Sequence, residues 1–296
     1  MERARQVAVL LAAAVVFSCA ACAGSPPPSL PAPSPTPGSP EPTEGSTGTP
    51  ATTPLAQPVR VVVIVMENRS YDSVVRLPYV STLASTATVL TNYHASGHPS
   101  LPNYLALTSG STWDITDDGY HVLPEQDLGH QLSAAAIPWR AYMEGMGSDC
   151  RQDGGGYAVK HDPFAYYGGR CPASVVSFSQ LSADIANPSP SRFIWITPNL
   201  CNDMHDCSSE VGDGWLRRTV PPILASPAMS NGVVFITWDE NDGGASNQVL
   251  TLVLGAKRPA SPASSYTHPS LLATTEDLLG LPRLPATARL APIALH

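Results

Sequence analysis

The chain has no block of lysine and arginine. Its 16 basic residues are scattered among 296, against 24 acidic ones, for a formal net charge of −8. Phosphate-backbone contacts need clustered cations, so a nucleic-acid partner is excluded, and the net negative charge suits a soluble, monomeric surface. No apolar run reaches the ~20 residues of a membrane-spanning helix; VAVLLAAAVVF at 7–17 falls short. No G-x-S-x-G elbow occurs, and GHPSL at 97–101 is not one, which argues against a serine esterase. Beyond residue 22 there are no close CxxC pairs, which argues against a cysteine zinc site. No internal repeat marks a solenoid or a second domain. Charged residues make up only 14%, whereas 43% are hydrophobic, enough for a sizeable core.

What is present begins with a targeting segment. Arg3 and Arg5 precede the apolar run, and SCAACAG follows it. This has the layout of an export signal over 1–22. Small residues directly before a cysteine resemble a bacterial lipobox, and Cys22, after Ala20 and Ala21, fits better than Cys19. The expectation is an exported, membrane-anchored lipoprotein facing outward, with plain secretion as the alternative. Residues 23–57 are Pro-, Ser-, Thr- and Gly-rich and read as an extended linker. Cys150, Cys171, Cys201 and Cys207 remain. An even number in an exported chain suggests disulfides; four allow three connectivities, and nearness in sequence favours Cys150–Cys171 and Cys201–Cys207.

From residue 58 the pattern becomes that of a folded domain, 58–296. VRVVVIVM (59–66), RFIWIT (192–197), GVVFITW (232–238) and QVLTLVLG (248–255) are continuous apolar runs, as expected of strands buried on both faces. Helix-compatible segments lie at 101–109, 128–136, 214–225 and 268–279. Such alternation predicts an α/β fold, three-layer α/β/α with a mainly parallel central sheet. Ligands in such sheets bind beyond the carboxyl ends of the strands. Those exits read Glu67-Asn68, Pro198-Asn199 followed by Asn202-Asp203-Met204-His205-Asp206, and Asp239-Glu240-Asn241-Asp242. One such exit suits a helix cap; three together, rich in oxygen donors, point to a hard divalent ion, with histidine leaving zinc or manganese open.

SLPNYLALTSG (100–110) reads as a helix start. By itself Ser100 is a helix cap. Beside a metal ion at a helix N-terminus it becomes a nucleophile facing a phosphate. Asn103, one turn on, is a candidate donor to a phosphoryl oxygen.

MENRSYDSV (66–74), HPSLPNYLALTSG (98–110), TPNLCNDMHD (197–206), TWDENDGG (237–244) and THPSLLATTEDLLGLP (267–282) resemble, in order, the blocks of the bacterial phosphoesterase family that contains acid phosphatases and non-specific phospholipases C. That family lies within the alkaline phosphatase-like superfamily, and SLPN is similar to the T-F-P-N segment whose threonine is the nucleophile of nucleotide pyrophosphatases. The resemblance implies one divalent metal ion (magnesium, calcium, manganese or zinc) held by Glu67, Asn68, Ser100, Asp239 and Glu240. It implies attack by Ser100 through a phosphoserine intermediate. It implies a contact from His205 to the leaving alcohol or a phosphoryl oxygen. Asp203 and Asn199 lie where the superfamily binds a second metal, and the asparagine there favours a single ion. His268 matches a late superfamily histidine, and His98 lines the pocket or caps the surface. The expected activity is hydrolysis of a phosphate-ester substrate by an acid-phosphatase-type monoesterase. The alternatives are a phospholipase C-type diesterase, whose relatives are longer chains, and a catalytically inactive tethered surface-binding domain.

Overall fold

The computed structural model describes residues 58–187 and 191–296. The expected leader with Cys19 and Cys22, and the linker over 23–57, lie outside the described residues. The elements run β1 (Arg60–Met66), α1 (Tyr71–Val74), α2 (Pro78–Thr86), β2 (Thr88–Val89), β3 (Tyr93–His94), α3 (Ser100–Ser109), α4 (Leu128–Ala134), β4 (Trp139–Met143) and β5 (Val175–Ser177). They continue α5 (Leu181–Ile185), β6 (Phe193–Thr197), α6 (Ser209–Ala225), β7 (Gly232–Trp238), β8 (Thr251–Gly255), β9 (Tyr266–Thr267) and α7 (His268–Leu279).

A seven-stranded sheet in the order β2-β8-β7-β1-β6-β4-β5 forms the middle layer. β1 is buried along its whole length and pairs in parallel with β6 on one side and β7 on the other. Its β-branched residues suit this position, because side chains on both faces meet protein rather than water. Helices α3 and α7 pack together, as do α2 and α6, completing an α/β/α architecture. All of α3 is buried. It ends at Gly110, whose φ of 77° favours glycine, and where a Cβ would lie 2.8 Å from Thr287 Cγ2.

Two expectations need correction. The strand expected over 248–255 begins at Thr251 and runs antiparallel to β7. The helix expected over 214–225 begins at Ser209. Strands β4 and β5 carry little signal in the sequence, because WRAYM and VVS are short and mixed, with none of the length of the β1 run.

Candidate active site

Register builds the site. Met66 pairs with Trp238, so Glu67 and Asp239 leave adjacent parallel strands side by side. Asp239 N donates to Met66 O at 2.9 Å, and Glu67 N donates to Asp203 O at 2.8 Å. The exits of β7 and of β6 are thereby tied to that of β1. Asn68 follows with φ 45°, a left-handed conformation that asparagine tolerates better than most residues. Its N–H donates to Asp239 Oδ1 at 3.0 Å. Its amide stands 3.1 Å from Glu240 Oε1 and 3.3 Å from Glu67 Oε2. Turned one way, the nitrogen donates to both carboxylates. Turned the other way, three oxygens face one another, an arrangement that a cation among them would satisfy.

Ser100 is the first residue of α3. The cap position belongs to Pro99, and the serine hydroxyl makes no capping bond. It donates instead to Glu67 Oε2 at 3.1 Å. The cap reading of Ser100 is therefore overturned by the local geometry. Tyr104, one turn further along the helix, donates to the other oxygen, Glu67 Oε1, at 2.5 Å. The Tyr104 ring stacks on His161, with centroids 5.2 Å apart and planes 12° from parallel. His161 Nε2 lies 3.3 Å from Glu67 Oε2, and its Nδ1 lies 3.4 Å from Asp203 Oδ2. Donor atoms of Glu67, His161 and His205 all fall within 4.8 Å of one another.

Electrostatics sets this cluster apart. Burial, and repulsion from Asp239 and Asp203, push the Glu67 carboxyl well up from its ordinary value. Burial pushes Asp203 up to about 8, and burial with the neighbouring Glu240 pushes Asp239 up to about 7. Glu240 is also raised to about 7 by burial. Buried close together, these groups resist being ionised together. Asp203 Oδ2, Asp239 Oδ2 and His161 Nε2 are moreover buried with no hydrogen-bond partner among the described residues. Unpaired buried oxygens are costly and uncommon. An oxygen-rich donor set with orphaned atoms and one adjoining imidazole fits a divalent cation.

The remaining candidates fall into place around this centre. His98 donates through Nδ1 to Glu240 Oε2 at 2.5 Å. His205 donates through Nδ1 to Asp206 Oδ1 at 2.7 Å, leaving Nε2 to face Lys160 Nζ at 3.3 Å. Met204, with φ 86°, turns the chain between Asp203 and His205. The structure also finds other partners for three expected residues. Asn103 Oδ1 accepts from Ser96 N and Gly97 N, and its amide nitrogen donates to Gly97 O and Pro99 O. It braces the loop before Ser100 rather than offering a donor to a ligand. Asn199 Oδ1 accepts from Cys201 N and Asn202 N, forming a turn. His268 donates through Nε2 to Asp239 O at 2.6 Å and accepts through Nδ1 from Tyr93 at 3.1 Å. Burial holds it neutral, with its pKa lowered to about 4. With both ring nitrogens engaged, it positions the Asp239 backbone. Both disulfides, Cys150–Cys171 and Cys201–Cys207, are formed.

Tyr104, Lys160 and His161 carry no obvious sequence signal. The nearest is the Asp162-Pro163 pair after His161. There Asp162 accepts from Phe164 N at 3.1 Å and caps a short 3-10 turn, the kind of corner that positions a preceding side chain.

A mainly parallel α/β/α sheet with a serine and a carboxylate cluster at its carboxyl edge defines the alkaline phosphatase class of fold. Solved structures agree at the level of fold. A member of the alkaline phosphatase superfamily from Vibrio parahaemolyticus superposes with a TM-score of 0.54 at 12% identity, covering 77% of this chain and 68% of the other. A 2-O GAG sulfatase superposes with a TM-score of 0.56 at 14% identity, covering 79% and 73%. The chain itself belongs to the Phosphoesterase family, which it matches over residues 75–282, and it is a hydrolase of phosphate esters. Among similar proteins, a phosphatidylinositol-3-phosphatase of Mycobacterium tuberculosis is 32% identical over 244 residues, covering 79% of this chain and 81% of that protein. An acid phosphatase of Aspergillus fumigatus is 29% identical over 243 residues, covering 74% of this chain and 54% of that protein. The chain thus spans little more than half of that fungal relative.

Proposed function

We propose that this chain is an exported, metal-dependent phosphomonoesterase of the acid-phosphatase type, working through a phosphoserine intermediate on Ser100. One observation carries the reading: the Ser100 hydroxyl donates to Glu67 inside a buried carboxylate cluster that has unpaired oxygens. Glu67, Asn68, Ser100, Asp239 and Glu240 would hold one divalent cation, with Asp203 and His161 at its margin. Such a cation would polarise a phosphoryl oxygen and lower the pKa of the serine hydroxyl. The chain's own groups do the rest. Ser100 Oγ loses its proton to the adjoining carboxylate and attacks phosphorus, breaking the bond to the alcohol. The departing alkoxide takes a proton from water, and His205, with Nδ1 on Asp206 and Nε2 facing Lys160, would stand beside it. Water then hydrolyses the phosphoserine. Positioning and charge stabilisation provide most of the acceleration.

The similar proteins that carry the names of phosphatases favour a monoester over a diester. The two disulfides support export. Among the described residues no helix is long and apolar enough to cross a membrane; attachment through lipidation at Cys22 or Cys19 is part of the same proposal.

A screen of the purified protein tests the reading. It should use a chromogenic phosphomonoester, a phosphodiester and a phosphocholine lipid, each with and without chelator. The expected result is monoester hydrolysis that chelation abolishes. Ser100→Ala should remove nearly all turnover while lowering stability by only about 1 kcal/mol, the scale of one hydrogen bond. Substantial turnover in Ser100→Ala would end the nucleophile assignment.

A further inference from the structure

We propose that Lys160 is the cation that grips the transferring phosphoryl group beside Ser100, and that Asp118 is the positioning residue that holds it there. The inference rests on the phosphoesterase reading above. Lys160 Nζ donates to Asp118 Oδ2 at 3.0 Å, and Asp118 Oδ1 accepts from Leu101 N, the residue after the nucleophile, at 3.0 Å. On its other side Lys160 Nζ meets His205 Nε2 at 3.3 Å. His205 belongs to the Glu67–His161–His205 cluster, and Glu67 accepts from Ser100. Four hydrogen bonds, the proximity of Glu67 and His205 within 4.8 Å, and the peptide link from Leu101 back to Ser100 close a ring: Ser100, Glu67, His205, Lys160, Asp118 and Leu101. A phosphoryl group attacked by Ser100 would lie in the space beside that ring.

That space is dominated by negative charge, with Glu67, Asp203, Asp239 and Glu240 all buried. A phosphate monoester brings further negative charge, and like charges at close range repel strongly where water is scarce. A divalent cation offsets part of that charge. Lys160 is the basic side chain that the hydrogen bonds carry into the ring. Its ammonium has three N–H groups, and the two contacts above leave one to point at an oxygen of a ligand. A lysine serves phosphate as a compact point charge. Its side chain is largely but not wholly buried, 22% exposed, with Asp118 at 31%, which leaves room for approach from solvent. Asp118 accepts from the first turn of α3 and from Lys160 at once, so the lysine head is registered to the nucleophile's own helix.

The chain contains only two lysines, Lys160 and Lys257, which makes a direct footprint practical. The metal-loaded enzyme is acetylated with a limiting reagent, with and without orthovanadate or inorganic phosphate, and both lysines are read by peptide mass spectrometry. Either anion should protect Lys160 and leave Lys257 unchanged. In parallel, Lys160→Met should raise the dissociation constant for inorganic phosphate about 10- to 100-fold, as for loss of a hydrogen bond to a charged group. Lys160→Arg should recover part of that loss, and Asp118→Asn should fall between. Arg170→Met, which removes an exposed cation engaged by Glu125, should leave phosphate affinity unchanged. Equal acetylation of Lys160 with and without the anions would overturn the proposal, as would a Lys160→Met protein of unchanged melting temperature that binds phosphate like the wild type. If Lys160→Met fails to fold, the footprint on the wild type decides alone. A wild type that hydrolyses monoesters in a chelator-sensitive manner but shows neither effect defeats the lysine inference only. A wild type with no such hydrolysis defeats the underlying reading with it.

Discussion

Glu67 is the residue on which the site turns. It is fully buried, and each oxygen receives a hydroxyl: Ser100 on Oε2 and Tyr104 on Oε1. A carboxylate so held cannot rotate freely, so its direction is set before any ligand arrives. Tyr104→Phe removes one of those two hydroxyls while keeping the ring that stacks on His161. Divalent-ion affinity should then fall about 10- to 100-fold, the usual effect of losing a group that orients a ligand, with the fold retained. Calorimetric titration of the metal-free variant reads this, and an affinity equal to wild type would show that Glu67 needs no such support. Neither Tyr104 nor His161 stands out in the sequence. The tyrosine looks like one more apolar residue of a buried helix, and the histidine lies in a three-residue 3-10 turn.

At the scale of elements, two devices hold the site together. The first is the parallel register of β1 with β6 and β7, which delivers Glu67 and Asp239 to one edge. The second is the loop closed by Cys201–Cys207, which carries Asp203 and His205. That loop is pinned from outside as well. Arg69 Nη1 donates to Asn68 O at 2.8 Å, and its Nη2 donates to Cys207 O at 3.1 Å. One guanidinium thus ties the loop to the exit of β1. Replacing Cys201 and Cys207 by serine lifts the covalent closure of a short loop, worth about 2 kcal/mol in the chain-entropy account. The double variant should melt a few degrees lower yet lose at least about tenfold in kcat/KM, because the freed segment holds His205. Thermal unfolding and steady-state kinetics on the same sample separate the two effects. Unchanged kcat/KM would mean that Arg69 and the backbone bonds suffice.

The whole molecule should respond to pH through its carboxylate cluster. Burial raises Asp239 and Glu240 to about 7 and Asp203 to about 8 from ordinary values near 4. A raised carboxylate favours folding while it stays protonated and loses that contribution as pH climbs through its folded-state pKa. Buried His268, lowered to about 4, acts the other way, but only below its ordinary value of about 6.5. Between about pH 6.5 and 8 the carboxylates act without that opposition. The metal-free protein should therefore lose stability across this window, by at most about 1.4 kcal/mol per pH unit for each group titrating. With saturating divalent ion the loss should vanish, since the bound ion keeps the cluster ionised and couples to folding. Melting temperatures measured with chelator and with metal across that range decide the matter. Parallel profiles would show that no cation binds at the cluster.

Local signals made much of this molecule legible from its sequence. The apolar runs of β1, β6 and β7 show as strands because each residue must suit a buried pleat. The oxygen-bearing exits show because ligand sites gather where parallel strands end. The cysteine pairs show because short loops close most easily. Tertiary structure alone decided the rest. It made Ser100 a partner of Glu67 rather than a cap, turned Asn103 and His268 toward backbone groups, and reversed β8. It also brought His161, Lys160 and Asp118 to residues far away in the chain. These are matters of distance in space, and a residue's type and neighbours carry no record of which distant donor or acceptor will satisfy it once the sheet has closed.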